Sequence, residues 1–92
     1  MKIVIAGAGE IGLDLAKVLT AEKHDVTIIE RDDDAKKLAR ELNVRLVEGN
    51  ATSSSKLREA GVATADIMIA VTSDDGVNMI ASMAAKKMGC PK

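Results

Sequence analysis

The sequence predicts an α/β fold, a parallel sheet with helices on both faces, on three observations. Short aliphatic runs alternate with segments of helical periodicity along the whole chain, the pattern that strand, crossover helix, strand units require. The runs are continuous rather than alternating (Ile3, Val4, Ile5; Val26, Ile28, Ile29; Ile67, Met68, Ile69, Val71), as strands covered on both faces are. A glycine turn, Gly7, Ala8, Gly9, Glu10, Ile11 and Gly12, separates the first run from the first helical segment.

The first strand covers Lys2–Ala6, and the turn leads into a helix over Ile11–Ala21. Ile11, Leu15, Val18 and Leu19 fall on one stripe of that helix and are expected to face the core. A second strand covers Asp25–Glu30. Asp32 to Asp34 crowd the start of the next helix, Asp33–Leu42, and are read as a helix start rather than a metal site, because acids there cap free N–H groups and complement the dipole. Leu38, Ala39 and Leu42 form its expected buried stripe. A strand over Arg45–Glu48 follows, then a helix over Ser54–Ala60 opened by Ser53 to Ser55, a strand over Asp66–Thr72 and a helix over Gly76–Met88. Thr72, Ser73, Asp74 and Asp75 are a capping signature for the last helix, and its Met79, Met83 and Met88 are expected as core or interface filler.

Right-handed crossovers then give a strand order of 3-2-1-4. The chain is expected to be one domain, 1–92, truncated after the fourth strand and helix, because Gly89, Cys90, Pro91 and Lys92 are residues that ordinarily hand over to another strand. It reads as a fragment of a longer protein. The fourth strand would be an open edge, and a homodimer or higher homo-oligomer is expected through that edge or by exchange of C-terminal elements.

Composition narrows the function. A net charge of -1, with both signs interspersed, gives no basic face, so nucleic acid is not expected as a partner. No apolar stretch approaches the ~20 residues of a membrane span. The single cysteine, Cys90, can form no internal disulfide and fits a reducing cytoplasm. Phe, Tyr and Trp are absent, which excludes aromatic stacking on a base and any mechanism with a tyrosine acid.

The glycine turn directly after a strand, a helix, and Glu30 closing the second strand eighteen positions after Gly12 form the grammar of a dinucleotide-binding, Rossmann-like βαβ unit. Gly7 permits the tight turn, Gly9 lets a pyrophosphate approach the backbone, and Gly12 lets the helix pack close to the sheet. The helix start offers N–H groups and a positive dipole end to phosphates. A carboxylate at Glu30 suits the two ribose hydroxyls of NAD and opposes the 2′-phosphate of NADP. Arg31 and Arg45 lie close enough in sequence to soften that preference.

Five stretches carry a more particular likeness: Met1 to Gly12 with GAGEIG, Val26 to Asp32 (VTIIERD), Glu48 to Thr52 (EGNAT), Leu57 to Asp66 (LREAGVATAD) and Ala70 to Asn78 (AVTSDDGVN). Over its whole length the chain resembles the N-terminal nucleotide-binding domain of the TrkA family, also called the RCK or KTN domain. The resemblance implies a regulatory domain that binds NAD(H) or adenine nucleotides and passes the bound state to a transmembrane potassium transporter subunit. It implies a cytoplasmic protein held at the inner face of the membrane through that partner. By position, Gly7, Ala8, Gly9, Glu10, Ile11 and Gly12 would surround the phosphates, Glu30 and Arg31 the ribose, Asn50, Ala51 and Thr52 the adenine, and Thr72 the other half of the dinucleotide. Two departures matter. Many members carry Asp where this chain has Asn50, and many carry Arg where it has Glu10. A carboxylate at Glu10 opposes a triphosphate, so NAD or NADH is expected, with ATP or ADP as the alternative.

A small NAD-dependent oxidoreductase is the rival reading, and a scaffold with a vestigial site the third. Hydride transfer ordinarily needs a proton donor beside the nicotinamide. The one histidine, His24, precedes the second strand, whereas ligands in this architecture bind beyond the carboxyl ends of the strands. No catalytic residue and no metal ligand is assigned, and the chain is expected not to be an enzyme.

Overall fold

A computed structural model describes residues 1–92. The elements run β1 (Lys2–Ala6), α1 (Glu10–Ala21), β2 (Asp25–Glu30), α2 (Asp33–Arg40), β3 (Arg45–Glu48), α3 (Ser54–Glu59), a 3₁₀ turn (Val62–Thr64), β4 (Ile67–Ala70) and α4 (Asp75–Lys87). The four strands form one parallel sheet of order β3-β2-β1-β4, as expected. β1 is central, with Ile3, Val4, Ile5 and Ala6 aligned to Val26, Thr27, Ile28 and Ile29 on one side and to Ile67, Met68, Ile69 and Ala70 on the other.

Successive strand residues point to opposite faces, and both faces are covered. Ile3, Ile5, Val26 and Ile28 pack with Ala16 of α1 and Ala39 of α2. Val4, Ala6, Ile29, Val47 and Met68 pack with Leu57 and Ala60 on the α3 side and with Ala81 and Ala85 of α4. Two buried layers explain why the strands read as unbroken aliphatic runs.

The helix stripes differ from those expected. Ile11 and Val18 are 63% and 57% exposed. α1 instead rests on the sheet through Gly12 and Ala16, with Leu15 and Leu19 beside them, because small residues let the axis approach closely and push the large ones to the shoulders. In α2, Ala39 is buried and Ala35 and Leu42 flank it, whereas Leu38 is 51% exposed. On α4, Met88 packs against the core, but Met79 and Met83 lie outside it at 65% and 68% exposure.

β4 covers Ile67–Ala70, shorter than the expected Asp66–Thr72, although Asp66 N still donates to the Lys2 carbonyl at 2.8 Å and Val71 N to the Ala6 carbonyl at 2.9 Å. The Asp66 carboxylate accepts from Lys2 N at 2.8 Å, and Thr72 is bound to Asn78. The free edge of β4 is partly occupied by the chain's own end, since Met68 N donates to the Lys92 carbonyl at 2.8 Å. No helix is long and apolar enough to cross a membrane.

Candidate functional site

The turn after β1 is dictated by backbone contacts. Gly7 has φ of +113°, and a Cβ there would meet Thr72 N and the Val71 carbonyl at 3.0 Å. A Cβ on Gly12 would collide with the Gly7 carbonyl oxygen. These two glycines therefore serve the packing of strand, turn and helix. Gly9 is different: it is the N-cap of α1, no side chain caps the helix there, and a Cβ would meet nothing within 4 Å. No side chain therefore caps the first N–H groups of α1, and uncapped N–H groups at a helix start are what a phosphate binds.

Glu30 closes β2. Its Oε1 accepts from Ala8 N at 2.5 Å, and its Oε2 accepts from Arg31 N and Asp32 N, each at 3.0 Å. An ionised carboxylate offers about four lone-pair sites, so the three backbone donors leave little spare capacity. Glu30 fixes the glycine turn to the β2–α2 turn and stands at the same time on the rim of the cleft.

After β3, Asn50 Oδ1 accepts from Thr52 N and Thr52 Oγ1, each at 2.9 Å. This side-chain turn holds the segment and leaves Ala51 5% exposed in the core. After β4, Thr72 N and Thr72 Oγ1 donate to Asn78 Oδ1 at 2.9 and 2.6 Å, and Asn78 Nδ2 returns a bond to the Thr72 carbonyl at 3.1 Å. Asp74 N in turn donates to Thr72 Oγ1 at 3.2 Å. Thr72 is locked to α4 through both backbone and side chain.

These strand ends enclose a cleft of about 380 Å³. Among the residues expected at a site, Gly9, Glu30, Arg31, Asn50, Ala51 and Thr72 line it. Gly7, Ala8, Glu10, Ile11, Gly12 and Thr52 do not. Ala8 and Glu10 border a second groove with Leu13 and Leu38, between α1 and α2, and Ile11 points outward from α1. Thr52 turns back onto Asn50. Arg45 is remote, because it begins β3 and its guanidinium donates to the Glu59 carbonyl at 3.0 Å. Arg31 makes no ion pair and borders the cleft.

Asp32 and Asp74 complete the rim. Both are helix N-caps, accepting from Ala35 N at 2.9 Å and Val77 N at 3.1 Å, so the sequence signal that marked them as caps was sound and gave no sign of their place at the cleft. The lining contains no His, Cys, Lys or Tyr. His24 lies at the opposite end of the sheet, 3.0 Å from the N-terminal amine. Cys90 is 3% exposed, and its Sγ donates to the Lys92 carbonyl at 3.2 Å.

A sequence profile of the TrkA-N domain matches residues 3–92. The chain is 51% identical over 89 residues to the Trk system potassium uptake protein TrkA homolog of Archaeoglobus fulgidus, covering 97% of this chain and 20% of that protein. It is 42% identical over 82 residues to the Trk system potassium uptake protein TrkA of Haemophilus influenzae, covering 88% of this chain and 18% of that one. The chain therefore spans about a fifth of the relatives it matches. Among solved structures, the Shewanella denitrificans Kef CTD in AMP bound form superposes with a TM-score of 0.77 at 19% identity, over 92% of this chain and 51% of that one. ChuY, an anaerobillin reductase from Escherichia coli O157:H7, gives 0.74 at 24% identity, over 98% and 47%. At these identities the two structures share the fold alone.

Proposed function

We propose, from the premise that this chain belongs to the TrkA-N domain family, that it is the nucleotide-binding part of a regulator of potassium uptake. One observation carries the reading: the ends of the four strands bring Gly9, Glu30, Asn50 and Thr72 around one cleft at the carboxyl edge of the sheet, where ligands of this architecture bind. The α1 N-terminus would hold the phosphates, with Gly9 giving them access to the backbone. Glu30 would accept from a ribose hydroxyl through its remaining lone-pair capacity, and Asn50 and Ala51 would border the base.

NAD or NADH is the ligand this arrangement favours. Glu30 and Asp32 line the cleft and would oppose the 2′-phosphate of NADP, and Glu10, at the first position of α1 and outside that lining, would oppose the terminal charge of a triphosphate reaching past the helix start. A second reading is an adenine mononucleotide such as AMP or ADP, favoured by the AMP bound form of the structurally similar Kef domain. Both share the adenosine half, which is the part this cleft would enclose.

The role we infer is regulatory rather than catalytic. A cleft without His, Lys, Cys or Tyr offers no ordinary proton donor for hydride transfer, and of its three carboxylates Asp32 and Asp74 are helix caps and Glu30 accepts from three backbone N–H groups. The partner we propose is a transmembrane potassium transporter subunit, at whose inner face the domain would sit. Thermal melts followed by circular dichroism with NAD, NADH, NADP, ATP, ADP and AMP test the ligand. A ligand at 100 times its dissociation constant should stabilise the fold by about 2.7 kcal/mol. No shift with any of the six would overturn the binding reading, and turnover of NADH with a carbonyl substrate would overturn the regulatory one.

A further inference from the structure

The cleft at the strand ends has no aromatic ring to receive a base, because the protein contains no Phe, Tyr or Trp and its one histidine lies at the opposite end of the sheet. Proteins ordinarily take the flat face of an unpaired base on an aromatic ring or on the plane of an arginine guanidinium. Arg31 is the only cation among the residues that line this cleft. The other planar groups there are the carboxylates of Glu30, Asp32 and Asp74 and the amide of Asn50, and each is already engaged in hydrogen bonds. The Arg31 side chain is exposed and its guanidinium has no partner, since only the backbone N–H of Arg31 is engaged, donating to Glu30 at 3.0 Å.

Arg31 also stands at the right edge. β2 and β3 end in register, with Glu30 beside Glu48, so Arg31 opens one turn next to the turn that Gly49 and Asn50 open. The β3 turn presents little that could cover a base: Gly49 has no side chain, Ala51 is 5% exposed, and Asn50 Oδ1 is taken by Thr52. A base resting on that turn would leave its other face open, and Arg31 is the long side chain free to close over it. A guanidinium is planar, weakly hydrated and attracted to a π face, so it suits stacking better than an ammonium.

We propose that Arg31 is the base-stacking residue of the cleft, its guanidinium lying flat on the adenine in place of the aromatic ring that this chain lacks. This rests on the reading of the cleft as an adenine-nucleotide site. Calorimetric titration with NAD and AMP, with melts in the absence of ligand, tests it on Arg31→Ala, Arg31→Lys and Arg31→Trp. All three should melt with the wild type, because only the backbone of Arg31 is bonded. Arg31→Ala should weaken both ligands by the same factor, roughly tenfold, since both carry the adenosine half. Arg31→Lys keeps the charge without the plane and should recover little of that loss, whereas Arg31→Trp keeps a plane without the charge and should recover most of it. The only indole in the Arg31→Trp protein should also lose emission as adenine stacks on it, a signal that a merely structural role would not produce. Full recovery by Arg31→Lys with none by Arg31→Trp would overturn the proposal and assign Arg31 to a phosphate. So would quenching by NAD and not by AMP. Wild-type binding that Arg31→Ala leaves unchanged removes the stack alone, and a wild type that binds neither ligand removes the nucleotide reading and the stack with it.

Discussion

The carboxylate of Glu30, at the end of β2, accepts from the backbone N–H of Ala8 in the glycine turn at 2.5 Å, so the acid that lines the cleft also ties that turn to the sheet. Ala8 is 1% exposed, so truncating Glu30 takes the acceptor from the N–H of a buried residue. Glu30→Ala should therefore cost about 1–3 kcal/mol through the orphaned N–H, lowering Tm by about 4–8 °C for each kcal/mol. NAD affinity should fall roughly tenfold to a hundredfold beyond that. Melts without ligand measure the first effect and calorimetric titration the second. An unchanged affinity removes Glu30 from the site and leaves it a structural residue.

Gly9 and Gly12 should separate the proposed binding from packing. A methyl group at Gly12 meets the Gly7 carbonyl oxygen, whereas at Gly9 it meets nothing within 4 Å. Gly12→Ala should destabilise the fold by about 1–3 kcal/mol or more, since backbone must move. Gly9→Ala should change stability by no more than about 1 kcal/mol, the scale of an N-cap exchange, and should weaken nucleotide binding by roughly tenfold or more through the phosphates. Full affinity in a folded Gly9→Ala protein would place the phosphates elsewhere.

Legibility in the sequence followed locality. The bounds of the first three strands could be read because each aliphatic run is closed by a glycine, a charge or both, and the strand order followed from crossover handedness. The buried stripe of α1 could not, because its deepest contacts belong to Gly12 and Ala16, which carry little apolar signal, while the conspicuous Ile11 and Val18 stand at the shoulders. The same holds at the cleft. Gly9 and Glu30 are marked by spacing within one βαβ unit. Asp32 and Asp74 reach the rim only because the sheet assembles strand ends far apart in sequence, and the local pattern reports just their capping. The bond from Ala8 to Glu30 joins two backbone turns, and no residue spacing encodes it.

Asn78 holds the β4 end of the cleft. Its side chain binds the N–H, hydroxyl and carbonyl of Thr72, and Thr72 N lies 3.0 Å from where Gly7 would carry a Cβ. Asn78→Ala should lower stability by about 1–3 kcal/mol, because half-buried groups lose their partners. Asn78→Asp keeps the acceptor for Thr72 N and Oγ1 but turns a carboxylate oxygen toward the Thr72 carbonyl where Nδ2 donated, so it should recover only part of what Asn78→Ala loses. Denaturant titration of the three proteins checks the order wild type, Asp, Ala. Equal midpoints would mean that β4 and α4 hold the cleft wall without this clasp.

Acid should weaken the fold through Glu48 on β3. Its carboxylate lies 2.9 Å from Lys36 Nζ and 2.7 Å from Arg40; the hydrogen bond and charge of Lys36, with the charge of Arg40, hold its pKa below the ordinary value of 4.5. Lys36, bonded to Glu48 and Asp33, is shifted up from 10.5. A lowered carboxylate pKa contributes stability that is fully present above 4.5 and is lost as pH falls through the lower folded value. The raised lysine contributes stability that is present below 10.5 and lost as pH rises through its higher folded value. Across neutral pH both groups are charged and the α2–β3 cluster is intact. Glu48→Gln should therefore flatten the acid limb of the stability profile in urea unfolding, and it should also remove part of the alkaline limb, because Lys36 loses its main partner. Glu48 and Arg40 are half exposed, so both effects should shrink with added salt. An acid limb unchanged in Glu48→Gln would assign the acid sensitivity to other carboxylates.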